Sequence, residues 1–150
     1  METPETQLAA FIAKFTPEIA TLAEVILDRM RNLYPTAVEI VYDNYNALAI
    51  GFGPSDRASE VIFSIALYPK WISLFFMQAK GLSDPLRLLQ GNGSVARHVV
   101  LKSPNMLDDP ALRALMADAS AKAKLPFNAK GKHCLVIKSV SEKQRPRRPA

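Results

Sequence analysis

Along the chain the spacing of hydrophobic positions changes, and each change marks a class of element. In the N-terminal part they recur at three- and four-residue steps: Leu8, Phe11, Ile12 and Phe15, then Ile19, Leu22, Ala23, Ile26, Leu27, Met30 and Leu33. That spacing lines one face of each of two helices. From residue 37 to residue 78 the period drops to two and β-branched and aromatic residues take over. This predicts strands over 37–44, 47–54, 60–68 and 71–78. HVVLKS predicts a fifth strand and KHCLVIKSV a sixth, with a helix between them carrying Leu112, Leu115, Met116 and Ala119.

Four helix starts share one signal, a side-chain acceptor followed by proline: Thr3-Pro4, Thr16-Pro17, Asp84-Pro85 and Asp109-Pro110. The acceptor caps free N–H groups, and proline suits the first helical position, where an N–H would go unused. The pair at Asp84 predicts a short helix over 85–90. Asn44-Tyr45-Asn46 and Pro69-Lys70 are tight connections and GPSDRAS a looser one, so the four strands should form an antiparallel meander. The expected architecture is one α+β domain over residues 1–140. It has two layers, an antiparallel five- or six-stranded sheet with helices packed on one side.

One stretch breaks the simple pattern. In EVIFSIALYPKWISLFFM, Val61, Phe63, Ile65 and Leu67 alternate with Ile62 and Ala66, while Ile72, Leu74 and Phe76 alternate with Trp71, Phe75 and Met77. A sheet with one wet face alternates apolar with polar, so the second face needs a cover. Three covers fit: the chain's own helices and C-terminal strand, a partner subunit in a homodimer, or an apolar ligand.

Composition adds a class and a compartment. A chain that is 49% hydrophobic and 22% charged is an ordinary globular one, and no run approaches a membrane span. Glu2 and Glu5 stand where a secretory leader would be positive, and the single cysteine, Cys134, agrees with a reducing compartment, so a cytoplasmic location and no membrane partner are expected. The net charge of +5 is unevenly placed. Residues 1–120 carry 10 basic and 13 acidic side chains, whereas residues 121–150 carry 9 basic side chains against Glu142 alone. The ending SEKQRPRRPA has no large apolar residue, so residues 141–150 are expected to be a solvated, flexible basic tail whose removal leaves the melting temperature nearly unchanged.

Candidate chemistry is sparse. In GNGSVAR, the backbone around Gly91, Gly93 and Ser94 with Arg97 nearby is a candidate anion nest. A phosphate loop, however, needs strand then glycines then helix, and here the predicted order is helix then strand, with no lysine. Gly91 also falls where a helix terminator is expected. Glu24 and Asp28, four apart on one helical face, are the candidate metal ligands, although Arg29 and Arg31 lie beside them. Asp108 and Asp109 suit capping. Cys134 in an apolar strand is expected to be a buried, inert thiol. His98 and His133 are isolated, and no serine has a nucleophile-elbow context, so the chain shows no catalytic constellation and no cofactor motif. It is expected not to be an enzyme. KQRPRR would bind nucleic acid weakly and without specificity, since the tail has no neighbouring aromatic residues and no reading helix is evident.

Gly81-Leu82-x-Asp84-Pro85, then Leu89-x-Gly91-x-Gly93 and Arg97 before an apolar strand, resemble the signature of the YdhG-like family, a bacterial domain of unknown function. The resemblance extends from the N-terminal helices through Tyr42 and Tyr45 to the helix at 110, and IKSVSEKQRPRR resembles the ending of some members. Ser94 departs from it, since many relatives carry lysine there. The resemblance implies a two-layer α/β fold similar to that of secretion chaperones. It also implies that no activity is established for most members, while one bacterial relative is regarded as a frataxin-like iron-delivery protein. With no catalytic constellation in the chain, the expected function is binding of an unassigned protein or small-molecule ligand, with frataxin-like iron delivery as the alternative.

Overall fold

The computed structural model describes residues 2–149. Three of the four acceptor-proline pairs start helices: α1 (Pro4–Ala13), α2 (Pro17–Leu33) and α3 (Pro110–Lys122). Thr3 accepts the N–H of Thr6, Thr16 that of Ile19 and Asp109 that of Ala111, each satisfying a donor with no partner inside its helix. The fourth pair does not start one. The carboxylate of Asp84 accepts the N–H groups of Leu88 and Leu89, both at 2.9 Å, and closes a turn in which Arg87 takes a positive φ of 53°. Residues 85–90 are too few to offset the cost of helix nucleation, and Leu88 and Leu89 pack against the core from an irregular segment.

The strands are β1 (Val38–Asp43), β2 (Leu48–Gly53), β3 (Phe63–Leu67), β4 (Ile72–Phe76), β5 (Arg97–Leu101) and β6 (Cys134–Val140), in the spatial order β5-β4-β3-β2-β1-β6. β1 to β5 pair antiparallel as the tight connections require. β6 pairs parallel with β1, so the sheet is mixed and not wholly antiparallel as the sequence suggested. The reason lies in the connection. β6 reaches β1 after β5 and α3, and a strand returning through a long crossover need not reverse direction. The fold is α+β, with the three helices on one side of an open six-stranded sheet.

Register assigns one row of each strand to the helices. Ile50 lies between Val41 and Ile65, and Ile65 between Ile50 and Leu74, with Val99 beyond. α2 covers this row with Ile19, Ala23, Ile26, Leu27 and Met30, and α3 with Leu112, Leu115 and Met116. Two members of the row are charged. Glu39 and Asp43 flank Val41 at two-residue steps and are both buried.

The opposite face is covered in part by a segment that the sequence did not single out. The loop 54–62, with a short 3-10 turn at Ala58–Glu60, folds across it. Val61 lies over Ile40 and Gly51, close enough that a Cβ at residue 51 would sit 3.1 Å from a Val61 methyl. Val61 therefore does not share a face with Phe63. The loop is fastened by Lys138 donating to the Asp56 carbonyl and Gln78 to that of Val61. Where the loop ends the face is built of small residues, Ala49, Ser64, Ala66 and Ser73, beside Phe75 and His98, whose rings are 5.1 Å apart. Small side chains leave little apolar surface to hide.

The C-terminal segment is the other departure. Far from being solvated throughout, it is laid back on the molecule. Ser141 donates its N–H to the Asp43 carbonyl, Arg145 its N–H to that of Tyr45, and Arg148 its Nε to that of Lys14. Arg147 is 5% exposed and donates Nη2 to Asp43 Oδ1 at 2.8 Å and to the Asn44 carbonyl at 2.6 Å. The sequence hid this anchor because it is a cation, not a hydrophobe. Removing one partner of a buried ion pair strands the other, so Arg147→Ala is expected to cost about 3–5 kcal/mol in urea unfolding. The paired change Asp43→Leu with Arg147→Met should cost less than Arg147→Ala alone, and removal of residues 141–150 should lower the melting temperature by several degrees. An unchanged midpoint for Arg147→Ala would show that the segment is not anchored in solution.

Candidate functional site

The candidate nest is a tight turn at the β5 edge. Gln90 and His98 exchange N–H···O bonds of 2.7 and 3.0 Å, and residues 91–97 close the loop between them. Gly91 has φ +108°, and a Cβ at residue 93 would meet the Ala96 carbonyl oxygen at 2.5 Å, so the turn needs glycine at both positions. Arg97 donates Nε to the Gly93 carbonyl at 3.0 Å. That bond holds the loop shut, and it gives Gly91, Gly93 and Arg97 a structural duty. Ser94 is exposed. Gly81 has φ +85°, and its carbonyl accepts from Lys122 Nζ. With Leu82, Asp84 and Pro85 it belongs to the segment packed beside α3, where a cleft of about 360 Å³ opens between Pro85, Leu86 and Leu88 on one side and Ala111, Ala114 and Leu115 on the other.

Glu24 and Asp28 do share an exposed face of α2, facing α1. Arg31 lies in the same cleft and joins Glu5 at 3.6 Å, so the neighbouring charge is balanced by a cation. No group of three or more His, Cys, Asp or Glu side chains able to hold a metal ion occurs among the described residues. Cys134 is exposed on the edge strand rather than buried.

Glu39 is held by two basic side chains from different elements. Arg31, near the end of α2, donates Nε to one carboxylate oxygen at 2.8 Å and Nη2 to the other at 2.9 Å, and His133 Nε2 lies against Oε2 from the residue before β6. The hydrogen bond to Glu39 raises the Arg31 guanidinium above its ordinary value, although burial works against it. This constellation fastens α2 and β6 to β1. Its carboxylate is fully buried, while the Arg31 and His133 side chains are part exposed.

A different end of the sheet carries the larger opening. Register aligns the tips of both tight hairpins: Asp43 pairs with Leu48, Leu48 with Leu67 and Leu67 with Ile72. Because β6 is parallel to β1, its last residue, Val140, pairs with Asp43 and delivers the basic segment to this same end. There the chain closes a concavity of about 780 Å³ between the 68–71 turn and residues 145–149. Its walls are flat: Tyr68 stacks on Trp71 with centroids 4.6 Å apart and planes 15° from parallel, and Pro69, Pro146 and Pro149 face them. Among the described residues its charges are all positive, from Lys70, Arg145 and Arg148, and no Asp or Glu side chain lines it. Asn46 and Tyr68 form a shared wall with a second concavity of about 510 Å³ on the open sheet face, floored by Ala49, Ser64 and Ala66. At that second opening the Arg145 guanidinium lies 5.7 Å from the centroid of Tyr45, a contact in the cation–π range.

Sequence reasoning did not find this site. Its residues come from three stretches around 46, 70 and 147, and none is a motif by itself. The available signal was the pair of aromatic residues at the ends of the 68–71 hairpin turn, where water rather than core is expected. No family model, no curated protein and no solved structure matches the chain, so the YdhG-like resemblance stands on its motif residues alone. No helix among the described residues is long and apolar enough to cross a membrane.

Burial pushes the hydroxyls of Tyr34 and Tyr68 above the ordinary 10.0. The fold favours the neutral phenol, so this contribution to stability is complete below about pH 10 and is lost as pH rises through the folded-state values. Alkaline titration followed by phenolate absorbance is expected to show two tyrosines ionising above the ordinary value, with Tyr68→Phe removing one of them. Ordinary titration of all tyrosines would contradict the packing of Tyr68 against Trp71.

Proposed function

We propose that this chain acts by binding and not by catalysis, and that the concavity between the 68–71 turn and residues 145–149 is where its ligand sits. The observation that carries the reading is the lining itself, which among the described residues has two stacked rings and three prolines with three cations and no Asp or Glu. A volume of about 780 Å³ lies within the span of small-ligand sites. Flat apolar walls favour a planar apolar body, and uncompensated cations favour an anionic group on it. Nothing in the lining is suited to proton transfer near neutrality. Among the described residues no histidine, Asp, Glu or thiol lines it, and burial moves the Tyr68 hydroxyl further from that range.

Anilinonaphthalene sulfonate, an aromatic anion, tests the site without assuming a natural ligand. It is expected to bind with one-to-one stoichiometry and to change the emission of Trp71, the single tryptophan. Trp71→Ala and Lys70→Glu should each weaken binding on the order of tenfold. Leu86→Lys, in the cleft beside α3, should leave it unchanged. Binding that ignores Trp71 and Lys70, or that Leu86→Lys abolishes, would overturn the assignment.

A further inference from the structure

The two concavities that share Asn46 and Tyr68 each expose an aromatic ring, Trp71 in the first and Tyr45 in the second, and Arg145 of the first lies over the Tyr45 ring. Trp71 is 44% exposed with Tyr68 stacked on it, and Lys70 is its chain neighbour. Tyr45 is 48% exposed with Arg145 over its ring. Lys70, Arg145 and Arg148 make no ion pair among the described residues, and Arg148 is oriented only by backbone carbonyls of α1. Such cations are free to take phosphate oxygens.

We infer that this end of the sheet binds nucleoside phosphates, as successive units of a single strand, with bases on Trp71 and Tyr45 and phosphates on Lys70, Arg145 and Arg148. The inference rests on the binding site proposed above and names its ligand class. Aromatic platforms interleaved with cations are the physical requirement for holding a strand without reading its sequence, since every base has a face and every unit a charge. Two platforms on either side of one wall suit two bases better than one. A duplex is disfavoured, because its bases are stacked inside. The elements at this end are two hairpin turns and an extended segment, while all three helices lie on the other side of the sheet, so none is placed to enter a groove. The absence of specific nucleic-acid recognition expected from the tail's sequence is kept. What changes is that the fold supplies the aromatic partners the tail itself lacks.

The full chain is titrated with a fluorescently labelled oligo(dT) of about ten nucleotides, a length within the range of known single-strand sites, with a duplex of equal length, and with AMP. The single strand is expected to quench Trp71 and to bind at least tenfold more tightly than the duplex, with a log–log salt slope of roughly −2, the value for three phosphates on a single strand. Trp71→Ala should weaken binding by about tenfold, as loss of one stacked base does, and Trp71→Phe should restore most of it. Lys70→Ala should reduce the slope by about 0.7. AMP binding as tightly as the oligonucleotide, with the same response to Trp71→Ala, would also uphold the ligand class and identify the source as a free nucleotide. Duplex bound as well as single strand, or oligonucleotide binding that ignores Trp71→Ala, would overturn the inference. Dye binding at the site with no response to either AMP or oligonucleotide would overturn it too, while leaving the binding reading intact. Loss of all three would sink both.

Discussion

A carboxylate buried on a central strand must be neutralised where it stands, and Asp43 is neutralised from the far end of the chain. Its Oδ1 accepts from Arg147, 104 residues away, at 2.8 Å, while Lys14 reaches only to 3.8 Å from Oδ2. The second distance is that of an ion pair without a hydrogen bond, and Oδ2 has no hydrogen-bond partner in the structure. Arg147 in turn lies 5.6 Å from the Phe15 ring centroid, with Nε and Nη1 lacking hydrogen-bond partners. The pair is thus better paired electrostatically than it is hydrogen-bonded. Its value lies less in net stability than in what it fixes, because charges buried together are costly to separate and tolerate few alternative placements. The last turn of α1, the first hairpin and the C-terminal segment are held in one arrangement by it.

Glu39 does the same at the other end of β1. With Arg31 on α2 and His133 at the approach to β6, the carboxylate joins the helix that leads into β1 and a parallel edge strand from the far end of the chain. Both carboxylates lie on the row that faces the helices, so β1 is an apolar strand only at Val41 on that side. Beside the buried apolar residues Leu8, Ile12 and Phe15, the interior next to β1 is therefore also specified by charge pairing, whereas the interior under the rest of α2 and under α3 is specified by shape.

The direction of β6 decides which end of the sheet the basic segment reaches. An antiparallel sixth strand would have carried the basic residues to the end of the sheet where β1 begins, away from both tight hairpins. Running parallel, it brings Arg145 and Arg148 to the turn that holds Tyr68, Lys70 and Trp71, and Arg147 locks them there. The positive charge concentrated in the last thirty residues is in this way converted from a diffuse attraction into a lined cavity with flat walls. Its fixed cations and rings are in place before any ligand arrives, which reduces the ordering that binding would otherwise require.

The sequence by itself determined the local elements. Threonine or aspartate before proline set three helix starts, the shift from a period near four to a period of two set four strands, HVVLKS the fifth and KHCLVIKSV the sixth, and short connections set the hairpins of the meander. These are decided by interactions within a few residues. The same local rule failed at Asp84, where the acceptor and proline are present but the stretch that follows is too short to propagate a helix. The direction of β6, the crossing of loop 54–62 over Gly51, the burial of Asp43 and Glu39 and the docking of the basic segment were decided only by the tertiary structure. Alternation alone would send Glu39 and Asp43 to water, since nothing near them in sequence declares that Arg31, His133 and Arg147 will arrive. A charge becomes acceptable in a core only through a partner brought by the fold, and the rings and cations of the binding site meet for the same reason, on three segments that share no local pattern.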